Sequence, residues 1–214
     1  MKLTILFTIS ILQLTSSSSQ NALTINEREF PLSKTLHITT MPTTKQQPTD
    51  LNYLLGKVNP AKDTIFTELS INHCSKKGMY LRKETYNAFI SMYKAALQDG
   101  IKLQIVSAFR TFDYQKNIWE QKYSGARLVE GKNLALTCKY PLERVIAILR
   151  YSAMPGTSRH HWGTDIDLNS VNPTYFNTTE GKKIYQWLLE HADKYGFCQV
   201  YSTKGTDRPT GYEE

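Results

Sequence analysis

Ten consecutive positions of the 214-residue chain constrain it more than any other stretch: Ser158-Arg159-His160-His161-Trp162-Gly163-Thr164-Asp165-Ile166-Asp167. Two histidines, two aspartates and a serine crowd together there, with Pro155-Gly156 before them and Asn169 after them as loop signals. Thr164 to Leu168 reads as a short strand. Side chains alternate along a strand, so Ile166 and Leu168 point to one face and Asp165 and Asp167 to the other. The aliphatic pair belongs in a core. Both carboxylates then line the opposite face, and the histidines reach the same cleft from the preceding loop. Neutral imidazole and carboxylate are zinc ligands, and a catalytic zinc takes three protein ligands and keeps one position open. The segment reads as a metal site, with a polar surface loop as the competing reading. Spacing alone does not say which histidine binds.

The surrounding pattern mixes helices with short strands. Tyr86, Phe89, Ile90, Tyr93 and Leu97 fall on one face of a helix that stops near Gly100. Leu103 to Phe109 is expected to be a strand, followed by a helix from about Thr111 that carries Ile118 and Trp119. A third helix starts at Pro141, a good first helical residue, and runs to about Leu149. A fourth has Ile184, Trp187, Leu188, Ala192 and Tyr195 as its apolar stripe. Asn177 and Glu180 have capping-box spacing ahead of it, and Gly196 is its natural stop. Phe197 to Tyr201 is expected to be a last strand. No internal repeat is present. The order of elements implies an α+β domain with a small antiparallel sheet flanked by helices.

Residues 158–167 match a pattern of the form SxHxxGxxxD, in which Ser158, His160, Gly163 and Asp167 fall in register. Upstream, Ser107-Ala108-Phe109-Arg110-Thr111-Phe112-Asp113-Tyr114-Gln115 has the form S-x-aromatic-R-x-x-x-x-Q at a strand-to-helix junction. Together, in this order, the two patterns resemble the VanY-type D-alanyl-D-alanine carboxypeptidases. That family lies within the zinc peptidases that include lysostaphin and the hedgehog signalling domain. The resemblance covers roughly residues 51–214, the domain being taken as 50–214. It implies a zinc cofactor held by His160 and Asp167, with His161 on a variable position. It implies that Arg110 binds substrate and polarises the scissile carbonyl, work suited to a permanent charge and a planar donor fork. It implies that Gln115 and Ser158 help hold the substrate's terminal carboxylate. Asp165 stands where the family often has a small residue, and is expected to orient a ligand or face solvent.

The family completes its site with an E-x-x-H element that supplies a catalytic glutamate and the third zinc ligand. The chain ends at Gly211-Tyr212-Glu213-Glu214, which is how relatives approach that element. The missing pair, and the last strand, are expected at or just beyond Glu214, and the 214-residue chain alone is expected to be nearly inactive. His37, His73 and His191 are poor substitutes. The function implied is removal of the C-terminal D-alanine from peptidoglycan stem peptides. L,D-carboxypeptidase, D,D-dipeptidase or peptidoglycan endopeptidase activity, or a non-catalytic wall-binding role, are the alternatives.

The N-terminus bears on where such a protein works. Lys2, an apolar run from Leu3 to Leu14 and the serines Ser16 to Ser19 read as a secretory signal over residues 1–20, too short to span a bilayer. Residues 21–49, rich in Thr, Ser, Gln and Pro, read as an extended arm. Export to the periplasm or the extracellular space follows, with no stable membrane insertion after signal cleavage. The net charge is +7, from 26 Lys+Arg against 19 Asp+Glu. That modest excess is compatible with anionic wall polymers, or with a solvated surface that has no specific partner. The basic residues are scattered, which argues against nucleic acid. Cys74, Cys138 and Cys198 leave one cysteine over if two pair, and no CxxC spacing supports a structural zinc knuckle.

Overall fold

The structure, a computed structural model, describes residues 50–201. The expected signal, arm and final glutamates lie outside the described residues. The described elements run α1 (Leu51–Leu54), β1 (Phe66–Glu68), β2 (Tyr80–Arg82), α2 (Lys83–Gln98), β3 (Ile105–Ser107), α3 (Phe112–Ser124), α4 (Leu134–Thr137), α5 (Pro141–Leu149), β4 (Asp167–Leu168) and α6 (Thr179–His191). Single 3₁₀ turns cover Arg159–Trp162, Pro173–Asn177 and Ala192–Tyr195. Two antiparallel pairs, β1 with β2 and β3 with β4, form the strand content, so the α+β expectation holds.

The main core is built from α2, the β3–β4 pair and α6. Phe89, Met92 and Ala96 of α2 pack with Ile105, Ile166, Leu168, Ile184 and Leu188. Ile166 and Leu168 are fully buried, as strand alternation requires. The buried stripe of α2 runs through Met92 and Ala96; Leu97, expected on it, is 53% exposed. Gly100 ends that helix region at φ +73°, a conformation that suits glycine. A smaller apolar cluster of Val129, Leu134 and Ile148 joins α4 and α5 to Trp119 and Tyr123 of α3.

Three boundaries differ from expectation. The strand expected over residues 164–168 is regular only at Asp167–Leu168, because the preceding residues form the 3₁₀ turn and its exit. Thr178, not Asn177, caps α6, its side chain accepting from Gly181 N. Residues 197–201 carry a single bridge residue, Gln199, rather than a continuous strand, and Phe197 is anchored in the main core. No disulfide joins any two of Cys74, Cys138 and Cys198. No helix among the described residues is long and apolar enough to cross a membrane.

Candidate metal centre and substrate pocket

The site begins with an irregularity in strand pairing. Ile105 pairs with Leu168, but Ser107 pairs with Asp167, so β3 spends one more residue than β4 between those partners. Such a bulge turns the following side chain to the other face of the pair. Ile105 and Leu168 therefore point into the core, while Ser107 turns to the polar face beside Asp167. Arg110, just past the strand, folds back onto both. Its Nε and Nη2 donate to Ser107 Oγ at 2.9 and 2.7 Å, and Nη2 donates to Asp167 Oδ2 at 2.8 Å. Burial pushes the Asp167 carboxyl up, but the facing His160 and Arg110 and the Ser107 hydroxyl outweigh it and hold it below the usual carboxylate range.

The histidine turn is zipped to the same segment. Arg110 N donates to His160 O at 3.1 Å. His160 Nδ1 lies 2.9 Å from Ala108 O, which can only accept, so Nδ1 carries a proton. His161 Nδ1 donates likewise to Arg110 O at 2.6 Å, while its Nε2 accepts from Gly156 N at 3.0 Å. Both nitrogens of His161 are thereby committed, and the ring is neutral. Burial lowers its pKa most, the Arg110 carbonyl opposes this, and the nearby His160 and Arg110 add to the lowering. From α1, Tyr53 donates to Trp162 O at 2.5 Å. Gly56, at φ +71°, lies so close to the His161 ring that a Cβ would overlap Nδ1.

His160 and Asp167 carry the features of a metal pair. With Nδ1 protonated, the lone pair of a neutral His160 is on Nε2, which stands 3.5 Å from Asp167 Oδ1. That oxygen is buried and has no hydrogen-bond partner, although a buried acceptor ordinarily finds one. Two zinc ligands at roughly 2.1 Å in tetrahedral array stand about 3.4 Å apart. The observed gap is thus the edge of such a polyhedron, and too long for a good hydrogen bond. The donor set fits zinc. Ala108 O and Arg110 fix the outer atoms of the two side chains, an arrangement of the kind that orients imidazole and carboxylate toward a metal. Among the described residues no third His, Cys, Asp or Glu completes the cluster; the donor expected near Glu214 lies outside them.

A cavity of about 290 Å³ opens over this pair, with Arg110, Ser158, His160 and Asp167 in its wall. Ser158 is buried at the head of the histidine turn, yet its hydroxyl caps nothing there. Asp165 does not face solvent. It is fully buried and takes Arg159 Nε on Oδ2 at 2.8 Å and Nη2 on Oδ1 at 3.5 Å, which ties the head of the turn to its tail. Gln115 is fully buried as well, but behind the wall. Its Nε2 donates to Ala153 O at 2.7 Å, its Oε1 has no partner, and it does not line the cavity. Lys122 does line it, two turns further along the same face of α3, with Ser152 beside it.

Sequence reasoning passed over Ser107, Ala108 O, Tyr53 and Lys122. Ser107 was visible as the first letter of the upstream pattern. Lys122 was visible as a charge on the face that also carries Ile118. A backbone carbonyl such as Ala108 O leaves no mark in sequence.

The family model VanY, described as D-alanyl-D-alanine carboxypeptidase, matches residues 78–214. The chain is 32% identical over 140 residues to YodJ of Bacillus subtilis (strain 168), which bears a carboxypeptidase name; the match covers 63% of this chain and 43% of YodJ. The chain thus spans less than half the length of that relative. Its fold resembles VanYB in complex with D-alanine-D-alanine, at TM-score 0.51 and 23% identity over 65% of this chain and 67% of the other. It also resembles the LD-carboxypeptidase LdcB, at TM-score 0.50 and 27% identity over 71% and 64% of the two chains.

Proposed function

The chain belongs to the VanY family of D-alanyl-D-alanine carboxypeptidases, and from that premise we propose that it serves as a zinc-dependent D,D-carboxypeptidase acting on the C-terminal D-alanine of peptidoglycan stem peptides. The observation that carries this reading is the His160–Asp167 pair, two buried donors 3.5 Å apart with Asp167 Oδ1 unpartnered. Zinc bound there would supply Lewis acidity and a water of lowered pKa.

The chain's own residues account for the rest. The Ala108 carbonyl fixes His160 with Nε2 toward Asp167. Arg110 holds Asp167 Oδ2 through Nη2, leaving Oδ1 for the metal. Nη1 of Arg110 makes no hydrogen bond among the described residues, and Arg110 lines the cavity, so this N–H pair meets the scissile carbonyl and stabilises the oxyanion as it forms. Ser158 donates its hydroxyl to the substrate's terminal carboxylate. Gln115 acts one layer back, holding the Ala153 carbonyl that shapes the wall. Activity on a wall peptide also requires export, which the N-terminal signal pattern supports.

The test is mass spectrometry of products from the full-length protein and muramyl penta- and tetrapeptides. Loss of one alanine from the pentapeptide alone is the expected result. Loss of alanine from the tetrapeptide alone would favour the L,D reading, which the likeness to LdcB supports.

A further inference from the structure

We propose that the outward face of α5 rests on the surface of an anionic lipid bilayer. The inference stands apart from the reading of the cavity as a peptidase site.

α5 is apolar on the side where a surface helix is ordinarily polar. Its inner side is fixed by Ile148, which is fully buried, and by Arg144. The Arg144 guanidinium donates to Ala135 O and Cys138 O and lies over the Tyr123 ring. At 3.6 residues per turn, Leu142, Ile146 and Leu149 fall within about 60° of one another on the opposite side. They are 66%, 49% and 37% exposed. An apolar stripe on the outside of a helix that is already packed on its inside has a second contact to make.

The surroundings of the stripe say which contact. Tyr140, the N-cap of α5, is exposed, and Lys139 Nζ stands 5.4 Å from its ring centroid. Arg150, the C-cap, is exposed at the other end. Residues 126–150 hold five cations, Arg127, Lys132, Lys139, Arg144 and Arg150, against two carboxylates, Glu130 and Glu143. Both carboxylates are engaged, Glu130 by the Tyr151 hydroxyl and Glu143 by Tyr140 N. Among the described residues no ion pair engages Arg127, Lys132, Lys139 or Arg150. An apolar stripe edged by an aromatic ring and by cations suits a helix lying in the lipid interface. Its leucines enter the acyl boundary while its cations meet anionic headgroups. With nine residues, α5 is long enough to lie along a bilayer and far too short to cross one. Four apolar side chains are few beside the roughly 20–30 residues per side of a stable protein interface. A bilayer has no fixed shape to match and is served by fewer. The same stretch of chain gives Arg127, Leu128 and Glu130 to the cavity wall, so seating α5 holds the cavity close to the lipid surface.

The test is hydrogen–deuterium exchange of the full-length protein, alone and with vesicles of phosphatidylcholine or of phosphatidylcholine with about a third phosphatidylglycerol. The anionic vesicles are expected to slow exchange over residues 139–150, and the neutral ones much less. A local signal separates α5 from any anchoring by the N-terminus. The triple variant Leu142→Gln, Ile146→Gln, Leu149→Gln should lose this protection at an unchanged melting temperature. Lys139→Glu with Arg150→Glu keeps the apolar stripe, and should raise the lipid concentration for half-protection by about 10-fold or more. High salt should act in the same direction on wild type. Absence of protection over residues 139–150 on anionic vesicles would overturn the proposal. So would protection that the triple variant keeps, or protection equal on neutral and anionic lipid. Protection without lipid that grows with protein concentration would assign the face to a second copy of the chain and overturn it as well. Release of D-alanine plays no part in this readout, so the proposal and the proposed catalysis fail separately.

Discussion

His160 Nε2 and Asp167 Oδ1 face each other across 3.5 Å in a buried setting. Each proposed ligand is fixed from behind, His160 by the Ala108 carbonyl and Asp167 by Arg110. Substituting either ligand should therefore abolish zinc uptake without unfolding the chain. His160→Ala and Asp167→Asn are expected to lower bound zinc, read by elemental analysis, to background. Full zinc occupancy in either variant would remove that residue from the site.

Arg110 holds Asp167 and is the proposed donor to the substrate carbonyl. Arg110→Ala should cut turnover by about 10²-fold or more, the range for loss of one oxyanion donor. Arg110→Lys should recover little, since a single ammonium cannot reproduce the fork that spans Ser107 and Asp167. Unchanged turnover of a muramyl pentapeptide by Arg110→Ala would contradict the role.

His161 neighbours the proposed ligand His160 and yet is spoken for at both nitrogens. His161→Gln should leave zinc content unchanged and lower the melting temperature, because the tie between Gly156 N and Arg110 O is weakened. Loss of zinc in His161→Gln at wild-type stability would show that the wrong histidine has been chosen.

Gly56 tests the same contact from the other side. An alanine there would overlap His161 Nδ1 and take a left-handed backbone that side chains disfavour. Gly56→Ala is expected to cost about 1–3 kcal/mol in chemical denaturation. It should lower turnover too, as the Arg110 carbonyl is displaced with His161.

A separate prediction concerns pH. The Tyr86 hydroxyl accepts from Ser70 N and so directs its proton to His73 Nδ1, 2.7 Å away. Burial, reinforced by Lys94, lowers the His73 pKa from its ordinary 6.5. The unfolded chain then takes up this proton first as the pH falls. The contribution is complete above about pH 6.5 and is lost as the pH drops below it toward the folded value. Melting temperatures of wild type should fall more steeply between pH 7.5 and 5 than those of His73→Gln; parallel curves would contradict this.

Much of the frame was legible because it depends on local pattern. Alternation placed Ile166 and Leu168 in the core and their acidic neighbours opposite, and Pro141 and Thr111 marked their helix starts. The pairing of His160 with Asp167, which the structure sets 3.5 Å apart, was legible only from register with the family pattern. What escaped depended on distant partners. The bulge that turns Ser107 toward Asp167 exists only once β3 meets β4. Leu97 fits the helical period but lies beyond the edge of the packed face. Asp165 stayed open between orienting a ligand and facing solvent, because nothing local reveals that Arg159 bends back to it. Gln115 carried the expected letter in the pattern, but whether its amide meets the cavity or the Ala153 carbonyl is set by tertiary packing.

The most direct test is release of D-alanine from a muramyl pentapeptide by the full-length protein, measured as purified, after chelation, and after zinc is restored. One D-alanine per peptide, lost on chelation and regained with zinc, is the predicted result. No release by protein that demonstrably holds zinc at His160 and Asp167 would contradict the account.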